Sequence, residues 1–173
     1  MKMFKKLMAV ALAGVMALVV LTGCASNVVN KKEIIAQLND SMRGTVTYSE
    51  DKTDKADKVI ALAKKAYDET AKDKQKDFDP NVALFGRNNT NVEPVKKELG
   101  VTNETKDQYI VRIAKINEYN SEYYKKHNTN MLMMDASYVP LNGSAYGNKA
   151  TVSMNTVQFG DAQYLFMVIV RVA

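Results

Sequence analysis

The stretch Tyr164-Leu165-Phe166-Met167-Val168-Ile169-Val170-Arg171-Val172 decides the fold, because every residue in it except Arg171 is apolar. A strand with one face in water alternates apolar and polar residues, whereas a strand buried on both faces is apolar throughout. The run therefore predicts a strand at the centre of a sheet, with the other strands and the helices arranged around it.

The residues just before this run predict a β-hairpin and a further strand. Thr151–Gln158 has the composition of a strand, and Phe159-Gly160-Asp161-Ala162 supplies the turn that joins it to the central run. Tyr138–Tyr146 predicts another strand, in which Pro140 favours a sheet edge or a bulge because proline lacks the N–H that a ladder needs. The C-terminal part of the chain is therefore expected to form an antiparallel sheet.

The earlier part of the chain carries helix patterns. Asn30 and Glu33 form a capping box for a first helix that is expected to end before Gly44, and residues 45–49 are expected to be extended. A second helix is predicted from about Thr53 to Lys74, because apolar residues recur on one face at helical spacing. These residues are Ala56, Val59, Ile60, Ala63, Ala66 and Tyr67.

Further helices are predicted between the second helix and the sheet. The polar segment Gln75–Asn91 is expected to be a loop, and Val92–Leu99 a short helical turn that ends at Gly100. Thr105 is expected to cap a third helix, followed by a helical stretch to about Met134. The apolar face of that third helix consists of Tyr109, Ile110, Ile113, Ile116 and Tyr119. Because helices precede the sheet, the predicted fold class is α+β.

The N-terminus has the three parts of a lipoprotein signal peptide, in order. A cationic start, Met1–Lys6, is followed by the apolar run Leu7–Leu21 and by Leu21-Thr22-Gly23-Cys24, which resembles a lipobox. The run is shorter than the roughly 20 apolar residues that span a membrane. We therefore expect cleavage before Cys24 and a diacylglyceryl group on its thiol, which anchors the protein to a membrane outside the cytoplasm.

Length and charge restrict the rest of the chain. Residues 1–23 are predicted to be the signal peptide, 24–30 the lipidated cysteine and a short tether, and 31–173 a single domain. Cys24 is the only cysteine, so the domain has no disulfide bond. Three lysines of the signal account for part of the formal net charge of +5, which falls to +2 after cleavage. The remaining charges are interleaved in sign, which argues against a nucleic-acid partner.

One local motif resembles a known family. Lys126-His127-Asn128-Thr129-Asn130-Met131-Leu132 resembles the His-x-x-Asn-[Ile/Met]-Leu segment of bacterial domains of the CAP superfamily (cysteine-rich secretory, antigen 5 and pathogenesis-related proteins). The opening helix Ile34–Arg43, the alanine-spaced helix Ala56–Ala66 and the closing strand Tyr164–Val170 are similar to elements of that family. The resemblance covers most of residues 31–172 and implies an α–β–α sandwich with N-terminal helices and a C-terminal antiparallel sheet.

The resemblance also implies a cleft, in which this chain departs from the family pattern. CAP domains often line the cleft with two histidines and two glutamates, which sometimes hold a divalent cation. His127 matches one of them, but it is the only histidine, and Gly86-Arg87-Asn88 stands where the family has Gly-Glu-Asn. The tryptophan that usually precedes the histidine motif is also missing. A degenerate cleft without metal or cofactor is therefore expected, with the candidate residues His127, Arg87, Asn88, Glu118, Glu122 and Asn130.

Several of these residues also have a purely structural interpretation. A histidine at the end of a helix can cap the last carbonyls, and zinc needs three or four ligands of the histidine, cysteine or carboxylate type. The methionines at 131, 133 and 134 fit core packing as well as a ligand cavity. The tyrosines at 119, 123 and 124 fit helix packing as well as an aromatic binding face.

The expected function is non-enzymatic binding at the cell envelope, with a lipid, glycan, peptide or protein as partner. Two alternatives belong to other classes of protein. One is a hydrolase that works through His127 and a carboxylate such as Glu118 or Glu122. The other is a lipoprotein of unrelated α+β fold that captures a ligand for a transporter, for which a deep apolar pocket would be the structural sign.

Overall fold

A single mixed sheet organises the chain. A computed structural model describes residues 30–41, 45–116, 136–143 and 147–173. Its strands within these residues are β1 (Thr47–Glu50), β2 (Gln108–Ile116), β3 (Ser137–Pro140), β4 (Lys149–Phe159) and β5 (Ala162–Arg171). They lie in the order β1-β4-β5-β2-β3. The α+β class is thus confirmed.

Strand β5 lies at the centre of the sheet, as its sequence predicts. It pairs antiparallel with β4 on one side and with β2 on the other. Its middle residues Phe166, Met167 and Val168 are fully buried. The predicted hairpin is confirmed as well, since Phe159 pairs with Ala162. Gly160 in the turn has a φ of 56°, a left-handed conformation that glycine adopts without steric cost.

The sheet differs from the predicted one in composition and direction. Strand β1 comes from the extended segment after the first helix and pairs in parallel with β4, so the sheet is mixed and not purely antiparallel. The strand predicted over Tyr138–Tyr146 is shorter, because β3 ends at Pro140. Only the hairpin partners β4 and β5 are joined by a tight turn, and the other pairings depend on distant segments.

The predicted third helix after Thr105 is wrong, because residues Gln108–Ile116 form strand β2. This strand lies between β5 and β3, and both of its faces carry buried residues, including Ile110 on one face and Val111 on the other. Burial on both faces removes the alternation that marks a strand. Isoleucines at 110, 113 and 116 then coincide with a helical spacing although the backbone is extended.

The described residues contain four α-helices and one 3₁₀ turn. They are α1 (Lys31–Ser41), α2 (Lys55–Glu69), the 3₁₀ turn Gln75–Asp77, α3 (Pro80–Phe85) and α4 (Glu93–Leu99). The predicted starts of α1 and α4 are confirmed, whereas α2 ends before the predicted Lys74 and the predicted loop contains α3. None of these helices is long and apolar enough to cross a membrane.

Helix α3 forms within the predicted loop because of its capping residue Asp79 and its first residue Pro80. The Asp79 side chain accepts hydrogen bonds from the backbone N–H groups of Asn81 and Val82, which satisfies helix donors that lack an intrahelical partner. Pro80 follows at the first helical position, where its missing N–H costs nothing. Buried Leu84 and Phe85 then anchor the helix on the sheet.

Helices cover both faces of the sheet. On one face, α1 packs through Ile34 and Leu38 against a cluster that includes Met167. On the other face, α2, α3 and α4 pack through Val59, Phe85 and Val95 against a larger cluster. This larger cluster reaches the β4–β5 turn, where it borders the candidate site.

The side chain of Asn39 links helix α1 to the backbone of the edge strand β1. The Asn39 amide donates to the carbonyl of Tyr48 (3.0 Å), and the N–H of Tyr48 donates to Asn39 Oδ1 (2.7 Å). The N–H groups of Thr47 and Asp51 donate toward β4, and because the backbone groups of successive strand residues point in opposite directions, those of Tyr48, which Asn39 binds, lie on the outer side of β1. The free backbone N–H and C=O groups of an unpaired edge strand can form hydrogen bonds with a strand of another chain.

Replacement of Asn39 by alanine is expected to destabilise the fold by about 1–2 kcal/mol, because two hydrogen bonds of ordinary strength are lost. It is also expected to increase aggregation, because the Tyr48 backbone groups become available. Chemical denaturation and light scattering measure the two effects, with Asp40→Ala on the exposed side of the same helix as control. Equal stability of the two variants would refute this role of Asn39.

Candidate ligand-binding pocket

A pocket of about 430 Å³ lies on the sheet face that carries α2–α4. It opens where residues 75–81 pass over the end of β2 and the β4–β5 hairpin. Its volume falls in the range of sites that hold small molecules. Its apolar lining comes from the strands β2, β4 and β5 and from the loop before α3, and it consists of Phe78, Ile113, Phe159, Ala162 and Tyr164.

Aromatic rings form the floor of the pocket. The ring centroids of Phe78 and Phe159 are 5.0 Å apart, and those of Phe159 and Tyr164 are 5.9 Å apart. Tyr67 of α2 packs edge-on against Phe78 at 5.1 Å. Such tilted and edge-to-face pairs are favourable beyond the area that they bury. The floor is therefore held by packing from two strands and a helix.

Tyr164 joins this floor to the segment that crosses it. Its hydroxyl donates a hydrogen bond to the carbonyl oxygen of Phe78 at 3.1 Å. Burial raises the pKa of Tyr164 above its ordinary value of 10.0, and the negative charge of Asp79 raises it further. The phenol thus stays protonated at neutral pH, and its O–H is used to position residues 75–81.

Replacement of Tyr164 by phenylalanine is expected to cost about 1 kcal/mol at neutral pH, because this hydrogen bond is lost. The folded-state pKa lies above the unfolded-state value, so the contribution is complete below pH 10.0 and declines as the pH rises through the folded-state pKa. The stability gap between the wild type and Tyr164→Phe should therefore stay constant at neutral pH and narrow only as the pH rises above 10.0. Urea denaturation measures it, and a gap that widens with pH would contradict the role of the hydroxyl.

The rim of the pocket is polar and balanced in charge. It consists of Lys76, Asp77, Asp79, Asn81, Lys115 and Ser137. Two ammonium groups and two carboxylates therefore face the same space. Asp79 already uses one oxygen to cap α3. The Ser137 hydroxyl donates to the carbonyl of Ile113 and accepts from its N–H, both at 3.3 Å, so it serves to hold β3 on β2.

The side chain of Asn81 has a buried hydrogen-bond acceptor without a partner among the described residues. Its Nδ2 donates to Asn89 Oδ1 at 3.1 Å, and its backbone N–H is held by Asp79. Its Oδ1 is buried and has no hydrogen-bond partner in the part of the chain that the structure describes. A buried acceptor left in this state costs about 1–3 kcal/mol. Because solvent does not reach this atom, it is not a contact that the open pocket offers to a ligand.

The structure places two of the residues predicted to line a cleft. Arg87 and Asn88 lie in the turn after α3 and are exposed, and neither lines the pocket. The next residue, Asn89, does not line the pocket, but its side-chain oxygen accepts a hydrogen bond from the lining residue Asn81. The other predicted residues lie outside the described residues, as does the signal peptide; they are Cys24, Glu118, Glu122, His127 and Asn130.

The sequence interpretation missed the residues that form the pocket. Phe78, Asp79 and Asn81 belong to a segment predicted to be a plain loop, although Asp79-Pro80 is a helix-start signal that could have been recognised there. Among the described residues, no three histidine, cysteine or acidic side chains are close enough to hold a metal ion. Comparisons with protein-family models, with curated proteins and with solved structures found no match.

Proposed function

We propose that this chain is a lipid-anchored protein of the bacterial cell envelope whose domain binds a small ligand in the pocket. The observation that carries the proposal is the pocket of about 430 Å³, in which the rings of Phe78 and Tyr164 lie beside a rim of charged and amide side chains. Sites for small molecules combine apolar surface with polar groups that fix the orientation of the ligand. The alternative of a lipoprotein that captures a ligand for a transporter has less support, because it predicts a deep apolar pocket and six of the eleven lining residues are polar.

Binding fits the pocket better than catalysis does. A hydroxyl nucleophile needs a base within hydrogen-bond reach. The hydroxyls of Tyr164 and Ser137 instead contact backbone groups, and Asp79 is engaged at the start of α3. The hydrolase alternative depends on His127, and loss of a measured turnover in His127→Ala would favour it over the binding function.

A test of binding uses a fragment mixture and nuclear magnetic resonance of the full chain in detergent micelles. We expect backbone resonances of Phe78 and Asn81 to shift with at least one fragment. Ala162→Phe places a ring in the pocket and should abolish these shifts, whereas Ala83→Phe on the exposed side of α3 should leave them. Shifts that persist in Ala162→Phe would refute the pocket as the binding site.

The membrane anchor is supported by the order of the cationic start, apolar run and lipobox before Cys24. Two acyl chains hold a protein on a bilayer stably, whereas one gives only reversible binding. In cells fed an alkyne analogue of palmitate, we expect the chain to be labelled and to sediment with membranes. The label should disappear in Cys24→Ser, whereas sedimentation with membranes can persist because the apolar run Leu7–Leu21 then stays uncleaved. Labelling of Cys24→Ser equal to wild type would refute the lipid anchor.

We also propose kinship with the CAP superfamily, with a degenerate cleft and an α–β–α arrangement. In support, the opening helix, the alanine-spaced helix and the closing strand occur in the described residues in the expected order. Against it stands β2, which occupies part of the region where a helix was expected. A crystal structure that includes His127 tests the kinship: a cleft shared by His127 and Arg87 would support it, and a wide separation would refute it.

A further inference from the structure

We infer that Asn142-Gly143 is a self-modification site, at which the chain converts Asn142 to aspartate or isoaspartate when the connection around it opens. Asn142 lies two positions after the end of β3, and no other asparagine in the sequence precedes a glycine. This site is separate from the pocket and does not depend on its function. Two features support it: the hydrogen bonds of the Asn142 side chain and the chemistry of the Asn-Gly pair.

The side chain of Asn142 joins the connection after β3 to the segment that leads into β2. Its Oδ1 accepts a hydrogen bond from the N–H of Tyr109 at 2.8 Å. Its Nδ2 donates to the carbonyl oxygen of Thr105 at 3.2 Å and to that of Asp107 at 2.7 Å. Both ends of the half-buried carboxamide are therefore fixed on the backbone of residues 105–109.

The glycine that follows makes this asparagine reactive. The backbone nitrogen of Gly143 can attack Cγ of Asn142. The N–Cγ bond then forms, the Cγ–Nδ2 bond breaks, and ammonia leaves with the proton of the Gly143 N–H. Water opens the resulting succinimide ring at either of its two carbonyl carbons, which yields aspartate or isoaspartate without any oxidation or reduction. A Cβ on the attacking residue hinders ring closure, and glycine has none.

The described fold does not require a glycine at position 143. Its φ is not in the left-handed region, unlike the φ angles of Gly86, Gly100 and Gly160. A Cβ at Gly143 would meet no atom within 4 Å in the part of the chain that the structure describes. Glycine also loses more conformational freedom on folding than other residues do. The reactive pair is therefore not a consequence of the backbone geometry at this position.

The hydrogen bonds of Asn142 protect it while the connection is closed. Ring closure makes the planar Cγ tetrahedral and expels Nδ2, so the carboxamide cannot keep its bonds to residues 105–109 during the reaction. The reaction therefore requires that these residues first separate from the connection after β3. Local openings of this kind occur at a lower free energy than global unfolding.

Modification removes a donor that the closed connection needs. A carboxylate only accepts hydrogen bonds, so its oxygen would face the carbonyl oxygens of Thr105 and Asp107 where Nδ2 donated before. Isoaspartate also lengthens the backbone by one methylene group beside Leu141, whose N–H donates to the carbonyl of Tyr109 at 2.8 Å. The modified chain closes less tightly, so each modification makes later openings more frequent.

The test follows Asn142 in the full chain in detergent micelles, incubated at mildly alkaline pH with and without urea above the unfolding midpoint. Mass spectrometry of proteolytic peptides detects the replacement of the amide nitrogen by oxygen and distinguishes isoaspartate from aspartate. We expect modification in urea to be at least about tenfold faster, because only the open connection reacts. We also expect isoaspartate among the products, since direct hydrolysis of the carboxamide would yield aspartate alone.

Two comparisons test the role of the glycine. Asn103 is exposed and is followed by Glu104, so in urea it should be modified several-fold more slowly than Asn142. Gly143→Ala has space for its Cβ among the described residues and should leave the hydrogen bonds of Asn142 in place. It should slow the modification in urea several-fold.

A further pair of variants tests the consequence for the fold. Asn142→Asp is expected to raise the unfolding equilibrium constant at least about tenfold, because two hydrogen bonds are lost and two carbonyl oxygens face a carboxylate. Asn103→Asp adds the same charge at an exposed position and should change the constant by less than about threefold. Urea denaturation measures both. Wild-type chain that is modified in urea and returned to buffer gives the same comparison without a substitution.

Three results would overturn the inference. Modification of Asn142 in urea no faster than that of Asn103 would show that the pair is not reactive. Equal rates with and without urea would show that the hydrogen bonds give no protection. Equal stability of Asn142→Asp and Asn103→Asp would show that the modification does not weaken the closed connection.

Discussion

Replacement of Gly147 by alanine is expected to destabilise the protein by about 3 kcal/mol, the upper part of the range for an overpacked site. A Cβ atom at this position would overlap the backbone carbonyl oxygen of Val172. Backbone cannot rotate away as a side chain does, so the end of β5 must move. That end is held by the bond from Val172 N–H to Lys149 O and by the bond from Arg171 Nε to Gly147 O.

Thermal unfolding followed by circular dichroism measures this effect. At 2–4 °C for each kcal/mol in a domain of this size, the unfolding temperature should fall by roughly 6–12 °C. Gly143→Ala is the matched control, because a Cβ there has open space and the glycine lies in the same connection between β3 and β4. An unfolding temperature of Gly147→Ala within about 1 °C of that control would refute the steric argument.

Replacement of Ser153 by alanine is the second large effect, with an expected loss of about 2–3 kcal/mol. Ser153 lies on β4 and is 2% exposed. Its Oγ accepts a hydrogen bond from the N–H of Ala56 (3.1 Å) and donates one to the carbonyl of Thr53 (2.9 Å). The side chain of the capping residue Asp54 pairs with Lys58 but makes no hydrogen bond to the backbone of α2, so Ser153 satisfies this end of the helix from a distant strand.

The loss arises chiefly because the buried N–H of Ala56 would be left without a partner. Ser49→Ala is the control: its hydroxyl contacts the carbonyl of Ala150 at 3.5 Å from an exposed position, and its loss should cost less than about 0.5 kcal/mol. Urea denaturation of both variants measures the difference. Equal midpoints would show that α2 does not depend on the serine.

The candidate site could be predicted only in small part. Asp79-Pro80 predicts a helix start, but nothing local in the sequence shows that Phe78 and Tyr164 meet, since they are far apart along the chain. Exposed Arg87 and Asn88 stand two positions and one position before Asn89, which has a left-handed φ of 53° and accepts a hydrogen bond from Asn81. A pocket formed by four segments has no local pattern.

The amino-acid sequence by itself determined the elements whose cause is local. The β4–β5 hairpin follows from a turn with Gly160 between two strand-like runs, and α1 from the cap at Asn30, whose Oδ1 accepts from Lys32 N–H. Burial of β5 on both faces follows from its unbroken apolar run, because no polar residue marks a solvent face.

Only the tertiary structure decided which distant segments join this hairpin. Strand β2 carries a residue spacing that is compatible with a helix. Pairing with β5 and β3 satisfies its backbone in the extended form, and the hydrophobic clusters on the two faces of the sheet bury its side chains. The parallel direction of β1, the capping of α2 by Ser153 and the meeting of Phe78 with Tyr164 depend on the same long-range contacts. The hydrophobic pattern of a segment indicates that its residues are buried, but it does not indicate which distant segment buries them.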